Sequence, residues 1–296
     1  MQNINNLNIH SRGLEIMKNS SVSICSIVRD CERNLRRNIS RIESLRRLFC
    51  ESEVIIFEND SKDNTLVTLN RWQRSSNNIF VFSEKYNEQT IPLETIGITN
   101  PYFSISRIEK MVVFRNKYVN VLNNNNFNRD YVIVIDLDIA DFLLDGVINS
   151  FGLKVDWDCI TANGYSLSSR FKHQYHDSYA LIEYGKMNEI QNESSIEKNR
   201  KKFSFLKKGM PLVQVDSAYG GMAIYKWSSL KGLSYNYLLN DDLRVECKSE
   251  HVGLHESMKK NGSGQIFINP SMIVKYRSVD GKFIISKVFE KFLKLK

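Results

Sequence analysis

Short apolar runs alternate with helix-like segments along the first half of the chain. Runs rich in β-branched residues predict strands at 22–28, 54–57, 79–82 and 131–135. Between them, apolar residues recur at intervals of three and four, which is typical of helices packed on a core. The order β-α-β-α-β-α-β favours a parallel sheet whose right-handed crossovers gather the carboxyl ends of the strands at one edge. We therefore expect an α/β fold with a parallel sheet covered by helices.

The fourth predicted strand ends in a D-x-D motif, Asp136 and Asp138. Alternate residues of a strand point to the same side, so the two carboxylates can converge on one point. Close carboxylates repel each other unless a cation lies beside them, and oxygen ligands suit Mg²⁺ or Mn²⁺. The spacing leaves open the alternative that both acids cap the following turn.

Other polar residues follow the predicted strands or lie on an apolar helix face. Arg29 follows the first strand, and Glu58 and Asp60 follow the second, where they could accept hydrogen bonds from a ribose or a base or cap the next helix. Arg115 lies seven residues after Ile108 and therefore on the apolar face of its helix. A buried arginine needs an anionic partner. That partner is either a structural carboxylate, or the acid cluster after the fourth strand or a phosphate near it.

The second half of the chain is less regular. Residues 163–210 are polar and lysine-rich, which predicts either a mobile segment over the site or plain disorder. Asp216 and Tyr219 then precede Gly220 and Gly221 between two short β segments. Adjacent glycines allow positive φ and the close approach of a ligand, while a carboxylate and an aromatic ring suit a sugar. A simple hairpin is the alternative.

Two histidines complete the set of candidate site residues. If their segment is helical, His251 and His255 lie one turn apart on one face. Their H-x-x-x-H spacing lacks the adjacent glutamate of the zinc-protease motif. One imidazole could instead complete the metal shell of Asp136 and Asp138, because neutral imidazole binds Mn²⁺ as well as Zn²⁺. Packing of one histidine in the core is expected in either case.

Composition narrows the class of protein only slightly. The chain has 296 residues, of which 42% are hydrophobic and 25% charged, and this is ordinary for a globular protein. The net charge of +8 suits nucleotide phosphates, anionic lipids or nucleic acid. Five cysteines without a C-x-x-C pair predict reduced thiols. Because no signal-peptide core and no apolar run long enough to span a bilayer are present, we expect a cytoplasmic protein.

Taken together, these residues resemble a nucleotide-sugar-dependent glycosyltransferase of the GT-A fold, similar to bacterial enzymes that build capsule, lipopolysaccharide or O-antigen glycans. The resemblance implies an α/β fold with an open, mixed, mainly parallel sheet and helices on both faces. The resemblance covers roughly residues 21–275 and rests on four pieces in this order. They are the first strand with Arg29, the acidic stretch 58–65, the D-x-D motif, and the pair formed by 216–221 and 250–255.

The resemblance implies a role for each site residue on the donor side. Arg29, Arg115 and Asp136 would bind the nucleotide-sugar donor, and Glu58 and Asp60 would contact its base and ribose. The divalent cation on the donor diphosphate, Mn²⁺ or Mg²⁺, would be held by Asp136, Asp138 and His255.

The resemblance also implies roles on the acceptor side. Tyr219, Gly220, Gly221 and His251 would bind the acceptor. Glu250 would be the catalytic base that deprotonates the acceptor hydroxyl, with Asp216 as the alternative. The chain departs from many inverting members, because its acid pair at 241–242 is not followed by a Q/R-x-x-R-W segment. The base and the choice between inversion and retention therefore stay open.

The resemblance implies a division of the chain and a reaction. A flexible lead-in at 1–20 would precede a GT-A domain at 21–280, with a nucleotide-binding half at 21–140 and an acceptor half at 141–280. A basic amphipathic tail at 281–296 would either dock on the protein or lie on an anionic membrane at its inner face. The enzyme would move a sugar from a nucleotide-diphosphate donor to a glycan or glycolipid acceptor in polysaccharide synthesis, without a nucleic-acid partner.

Two other classes of protein fit the sequence less well. A nucleotidyltransferase acting on sugar phosphates usually has a glycine-rich loop after its first strand, where this chain has Arg29 followed by Asp, Cys and Glu. A non-catalytic basic protein that binds nucleic acid or membrane would not need acids at several strand ends.

Overall fold

The computed structural model describes residues 2–95, 97–167 and 172–276. The expected basic tail at 281–296 lies outside the described residues. The helices of the described part are α1 (Gln2–Lys18), α2 (Glu32–Arg46), α3 (Thr65–Ser75), α4 (Ile105–Asn124), α5 (Leu144–Phe151), α6 (Glu193–Lys202), α7 (Trp227–Leu230) and α8 (Glu250–Lys260). Its strands are β1 (Ser21–Val28), β2 (Glu51–Asn59), β3 (Ile79–Glu84), β4 (Tyr131–Ile135), β5 (Asp141–Phe142), β6 (Cys159–Leu167), β7 (His173–Tyr175), β8 (Ile182–Glu183), β9 (Val213–Ser217), β10 (Met222–Lys226) and β11 (Ile266–Lys275).

One mixed sheet runs through the molecule in the order β3-β2-β1-β4-β10-β6-β11-β9-β8. The first four strands pair in parallel, as the alternation of strands and helices predicts. β10 is antiparallel to both β4 and β6, whereas β11 and β6 are parallel. The expected fold class, an open mixed sheet with a parallel core and helices on its faces, is confirmed.

Helices cover both faces because the central strands are apolar on both sides. Ile24 and Ile133 point into one layer, which they share with residues of α2 and α5. Their neighbours Cys25 and Val134 point into the other layer, with residues of α4 and α8. This double burial explains why the central strands read as continuous apolar runs. It also brings α4 and α8 over the carboxyl ends of β1 and β4.

The expectation of a flexible lead-in at 1–20 is wrong, because this segment forms α1 and packs on α5. Met17 is fully buried. A Cβ atom added at Gly13 would overlap the carbonyl oxygen of Ile148, and one added at Gly152 would overlap that of Ile9. The two glycines therefore let the helix backbones approach closely, a contact that apolar periodicity does not predict.

The polar stretch 163–210 is also more regular than expected where it is described. β6 extends to Leu167, and β7, β8 and α6 follow. The side chain of Asn192 caps α6, and Ile196 in α6 is buried against Ile108 and Val245. Residues 168–171 lie outside the described part.

The Gly-Gly pair does not form a simple hairpin. β9 pairs with β11 and β8, whereas β10 inserts between β4 and β6. Gly220 and Gly221 have φ angles of +66° and +87°, which glycine adopts without strain. They carry the chain from one part of the sheet to another.

Candidate active site

The carboxyl ends of β1, β2 and β4 border a cavity of about 330 Å³, closed on other sides by α4, the start of α8 and the turn after β7. Its lining is rich in charge. The charged lining residues are Arg29, Arg107, Arg115, Asp136, Asp138, Asp177 and Glu250.

Asp136 and Asp138 both line this cavity, as the D-x-D spacing predicts. The side chain of Asp138 is accessible from the cavity, yet protein surrounds it closely. Burial, and next the negative charge of Asp136, raise the pKa of Asp138 to about 6. The two carboxylates therefore share one space and repel each other, which is the situation that a cation relieves.

Asp136 is held in place by three neighbours. Its Oδ1 accepts a hydrogen bond from the hydroxyl of Tyr219 at 2.8 Å, and its Oδ2 accepts one from the hydroxyl of Tyr276 at 2.6 Å. Nη2 of Arg115 lies 3.6 Å from Oδ1. Asp136 is thus the fixed member of the pair, while Asp138 is the one open to the cavity.

Arg115 occupies the buried position that its spacing from Ile108 predicts. Its side chain is only 4% exposed, and Nε donates to Oε1 of Glu250 at 2.8 Å. The guanidinium carbon also lies 5.1 Å from the centre of the Tyr219 ring. Arg115 therefore joins α4 to α8 and to the end of β4, and both of its acidic neighbours belong to the cavity.

Asp177 is a cavity residue that the sequence did not single out. It lies in the turn after β7 with a φ angle of +64°, in the left-handed region that aspartate tolerates better than most residues. Burial raises its pKa to about 8, and the charges of Glu250 and Asp136 act in the same direction. No periodic pattern marks this position, because it lies in an irregular turn brought to the cavity by the strands on either side.

The donor set fits a cation that arrives with phosphate oxygens. No group of three His, Cys, Asp or Glu side chains that could hold a metal ion by themselves occurs in the part of the chain that the structure describes. Magnesium sites with phosphate substrates commonly use only one or two carboxylates, and phosphate oxygens and water complete the shell. Asp138 beside Asp136 supplies hard oxygen ligands of this kind.

The structure does not bring His255 to the metal position, which corrects the expectation. Its Nδ1 lies 2.8 Å from the hydroxyl of Ser217, and its Nε2 lies 3.1 Å from the hydroxyl of Tyr225. Both ring nitrogens are thus engaged inside the core, where burial lowers the pKa of His255 to about 3. His255 lies one helical turn further along α8 than the residues that line the cavity. At that turn, α8 packs against β9 and β10 and not against the cavity.

The structure does not bring Asp216 to the cavity either. It is buried, its Oδ1 accepts from Nζ of Lys259 at 2.6 Å, and its Oδ2 accepts from the backbone N–H of Met187 at 2.8 Å. It does not line the cavity. The carboxylate of Asp216 therefore has its partners within the protein, and it points away from the cavity.

Glu58 and Asp60 do not line the cavity either. Glu58 accepts hydrogen bonds from the backbone of Ser61 and the hydroxyl of Ser83, at 2.8 and 2.5 Å. Asp60 accepts two from backbone N–H groups at 86–87, each at 2.9 Å. These acids hold the turn after β2. The cavity is lined there by their neighbour Asn59.

Among the expected acceptor residues, only Tyr219 and His251 line the cavity. Their rings stack on each other with centres 3.8 Å apart, so that one face of Tyr219 is already covered. A Cβ atom at Gly220 would overlap a backbone oxygen of β6, and one at Gly221 would come within 2.8 Å of the Tyr276 ring. The space beside each glycine is therefore filled by other atoms of the protein and leaves no room for a sugar.

Arg29 lines the cavity from the end of β1, as expected. Its Nη1 donates to the carbonyl oxygen of Glu88 at 2.8 Å. Its guanidinium is thereby oriented at the edge of the cavity.

None of the described helices combines the length and the hydrophobicity needed to cross a lipid bilayer.

No protein-family model and no curated protein matches the chain. Among solved structures it is similar to the mannosyltransferase PcManGT from Pyrobaculum calidifontis in complex with GDP-Man and Mn²⁺, with 11% identity, a TM-score of 0.47, and coverage of 99% of this chain and 73% of that one. It is also similar to the glucosyl-3-phosphoglycerate synthase from Mycobacterium tuberculosis in complex with UDP, with 13% identity, a TM-score of 0.43, and coverage of 94% and 82%. Identities this low and TM-scores below 0.5 say nothing about which donor, acceptor or metal this chain uses.

Proposed function

We propose that the chain is a metal-dependent glycosyltransferase that moves a sugar from a nucleotide-diphosphate donor to an acceptor hydroxyl. The observation that carries this proposal is the shared position of Asp136 and Asp138, at the carboxyl end of a central parallel strand and in the wall of a cavity of about 330 Å³ with many charged lining residues. Open α/β sheets bind their ligands at this edge. Two adjacent carboxylates there suit a cation that accompanies phosphates.

On the donor side, Asp138 would bind the cation directly and Asp136 would support it. Tyr219, Tyr276 and Arg115 hold Asp136 in position, so that its geometry is set before the donor arrives. The cation supplies positive charge to the diphosphate leaving group, where negative charge develops as the glycosidic bond breaks. Arg29, at the edge of the cavity, would add a second positive charge near the phosphates.

On the acceptor side, we assign the base to Asp177 and not to Glu250. A base needs an accessible oxygen and a pKa close to the working pH. Asp177 is partly exposed, and its pKa is raised to about 8. Glu250 is buried and already accepts a hydrogen bond from Arg115, so its role is to hold Arg115 beside Asp136.

The acceptor is proposed to be a glycan or glycolipid used in a surface polysaccharide, and the protein to act at the cytoplasmic side of a membrane. The net charge of +8 supports this proposal, because a basic surface favours anionic glycolipids and membranes. Mn²⁺ or Mg²⁺ is the proposed cofactor.

Donor hydrolysis across a panel of nucleotide sugars, with Mn²⁺ or with a chelator, tests the proposal. We expect at least one nucleotide sugar to be hydrolysed slowly with Mn²⁺ and not with the chelator, and Asp138→Asn to abolish that hydrolysis while the variant stays folded. Asp156→Asn, at an exposed acid paired with Lys226, is the matched control. Full activity of Asp138→Asn would refute the metal role, and release of pyrophosphate from a nucleoside triphosphate and a sugar phosphate would favour a nucleotidyltransferase.

A further inference from the structure

The turn between β4 and β5 carries Asp138, and side chains of α2 hold its main chain. The carbonyl oxygens of Leu137, Asp138 and Ile139 accept no hydrogen bond from the backbone of the described residues. Nδ2 of Asn38 instead donates to the carbonyl oxygens of Leu137 and Ile139, at 2.9 and 2.8 Å. Nδ2 of Asn34 donates to the carbonyl oxygen of Asp138 at 2.7 Å. Two amides of α2 therefore bond three consecutive carbonyl groups, which buried backbone needs.

These contacts belong to one face of α2. Asn34 and Asn38 lie one helical turn apart on that face. Arg41 continues the same face, and its Nε lies 3.2 Å from Oδ1 of Asp141, the first residue of β5. Polar contacts from α2 therefore follow the chain from the end of β4 to the start of β5, and the turn around Asp138 lies between them.

Both amides are oriented as donors towards the turn. Nη2 of Arg37 donates to Oδ1 of Asn34 at 2.9 Å, so that the amide nitrogen of Asn34 faces Asp138. Asn38 is fully buried, and its two carbonyl partners can only accept, which requires its amide nitrogen to face them. Its Oδ1 has no partner among the described residues, which costs free energy. An apolar side chain of similar size would avoid that cost but would leave both carbonyl groups unpaired.

The two acids of the D-x-D motif are held in different ways. The carboxylate of Asp136 is bonded directly by the hydroxyls of Tyr219 and Tyr276. By contrast, no side chain of another described residue donates a hydrogen bond to the carboxylate of Asp138. The place of that carboxylate is therefore set through the main chain of its turn, and the described contacts that hold this main chain come from α2.

We propose that Asn34 and Asn38 are positioning residues that fix the carboxylate of Asp138 and thereby set the affinity of the site for its divalent cation. The inference rests on the proposed function, because it assumes that Asp138 binds the cation. Without the two amides, water would bond the carbonyl groups and the turn would relax, so that the carboxylate would no longer be held beside Asp136. Groups that hold a metal ligand in place typically change metal affinity about 10- to 100-fold when they are removed.

The test is a titration of the full chain with Mn²⁺ at a fixed concentration of UDP or GDP, followed by the rise in melting temperature. The measured quantity is the Mn²⁺ concentration that gives half of the maximal rise. Asn34→Ala should need about tenfold more Mn²⁺ than the wild type, and excess Mn²⁺ should restore the full rise. Asn34 is only half-buried, so this variant should fold. Asn38→Ala should need still more Mn²⁺ and should also melt earlier without ligand, because it loses two buried bonds.

Two control variants separate positioning from a general loss of stability. Asn70→Ala, at an exposed asparagine of α3, matches Asn34→Ala, and Ile42→Ala, at a buried residue of α2, matches Asn38→Ala. Ile42→Ala should melt earlier, yet both controls should keep the Mn²⁺ requirement within about twofold of the wild type.

The outcomes distinguish the inference from the proposed function. An unchanged Mn²⁺ requirement in both asparagine variants, or an equal increase in Ile42→Ala, would overturn the inference while the wild type still responds to Mn²⁺. A wild type whose melting temperature does not respond to Mn²⁺ with either nucleotide would overturn the proposed function, and the inference with it.

Discussion

Nε of Arg115 donates a hydrogen bond to Oε1 of Glu250 at 2.8 Å, and both side chains are buried. This ion pair crosses from α4 to α8, and Nη2 of the same guanidinium lies 3.6 Å from Oδ1 of Asp136. A buried charge that loses its partner is strongly destabilising, whereas removal of both charges costs far less. The pair therefore links the stability of the fold to the geometry of the site.

Arg115→Met should destabilise the protein by about 3–5 kcal/mol, because it leaves the carboxylate of Glu250 buried and unpaired. The double variant with Glu250→Gln should recover part of that loss. Urea unfolding of the wild type, both single variants and the double variant gives the coupling energy. A cost below about 1 kcal/mol for Arg115→Met would contradict the ion-pair account.

Asp177→Asn should lower the rate of glycosyl transfer about a hundredfold or more, because it removes the assigned base. Donor binding should stay close to that of the wild type, since the assigned cation ligands are untouched. Steady-state kinetics with the donor and the acceptor varied separately would resolve the two effects. The assignment would be contradicted if Asp177→Asn transferred sugar at the normal rate while a well-folded Glu250→Gln did not. That result would identify Glu250 as the base.

His255 should reduce stability in mild acid. Its pKa is about 3 in the folded protein, whereas an ordinary histidine has a pKa of 6.5. Below about pH 6.5, His255 is therefore protonated in the unfolded chain but stays neutral in the folded one. The unfolded state then binds more protons, and stability falls as the pH falls, by up to about 1.4 kcal/mol per pH unit for this group. The effect is absent above about pH 6.5.

His255→Gln should therefore show a shallower loss of stability between pH 6.5 and 4.5 in urea unfolding. Glutamine keeps hydrogen-bonding groups for Ser217 and Tyr225. The same variant should respond to Mn²⁺ and a nucleoside diphosphate as the wild type does. Parallel pH profiles, or loss of the Mn²⁺ response, would contradict the assignment of His255 to the core.

Gly13→Val should detach α1 from α5, because an added side chain would overlap the backbone of α5. We expect a lower melting temperature and faster proteolytic cleavage within the first twenty residues. Ser11→Val, at an exposed position of α1, is the control. Equal behaviour of both variants would mean that α1 does not depend on this contact.

Several features of the site could be predicted from sequence because each follows from a local rule. The β-branched runs gave the four parallel strands. The i+2 spacing placed Asp136 and Asp138 on one side, and the i+7 spacing from Ile108 placed Arg115 on a buried face. Each of these predictions depends only on the geometry of a single helix or strand, so contacts between distant parts of the chain do not change it.

The remaining residues depended on contacts between distant parts of the chain. Asp216 and His255 have the right chemistry for a site, but Lys259, Ser217 and Tyr225 engage them inside the core. Asp177 belongs to the cavity only because the strands around it bring its turn there. The spacing of residues along the sequence does not predict which polar side chains will form hydrogen bonds within the protein.

The most direct test of the central claim is thermal unfolding of the wild type and Asp138→Asn with UDP or GDP, each with Mn²⁺ and with a chelator. Ligands that bind only the folded state raise the melting temperature. Our account predicts that at least one of these nucleotides raises the melting temperature of the wild type only when Mn²⁺ is present, and that Asp138→Asn shows no such rise while melting normally without ligand. Equal Mn²⁺-dependent shifts in both proteins, or no shift with either nucleotide in the wild type, would contradict it.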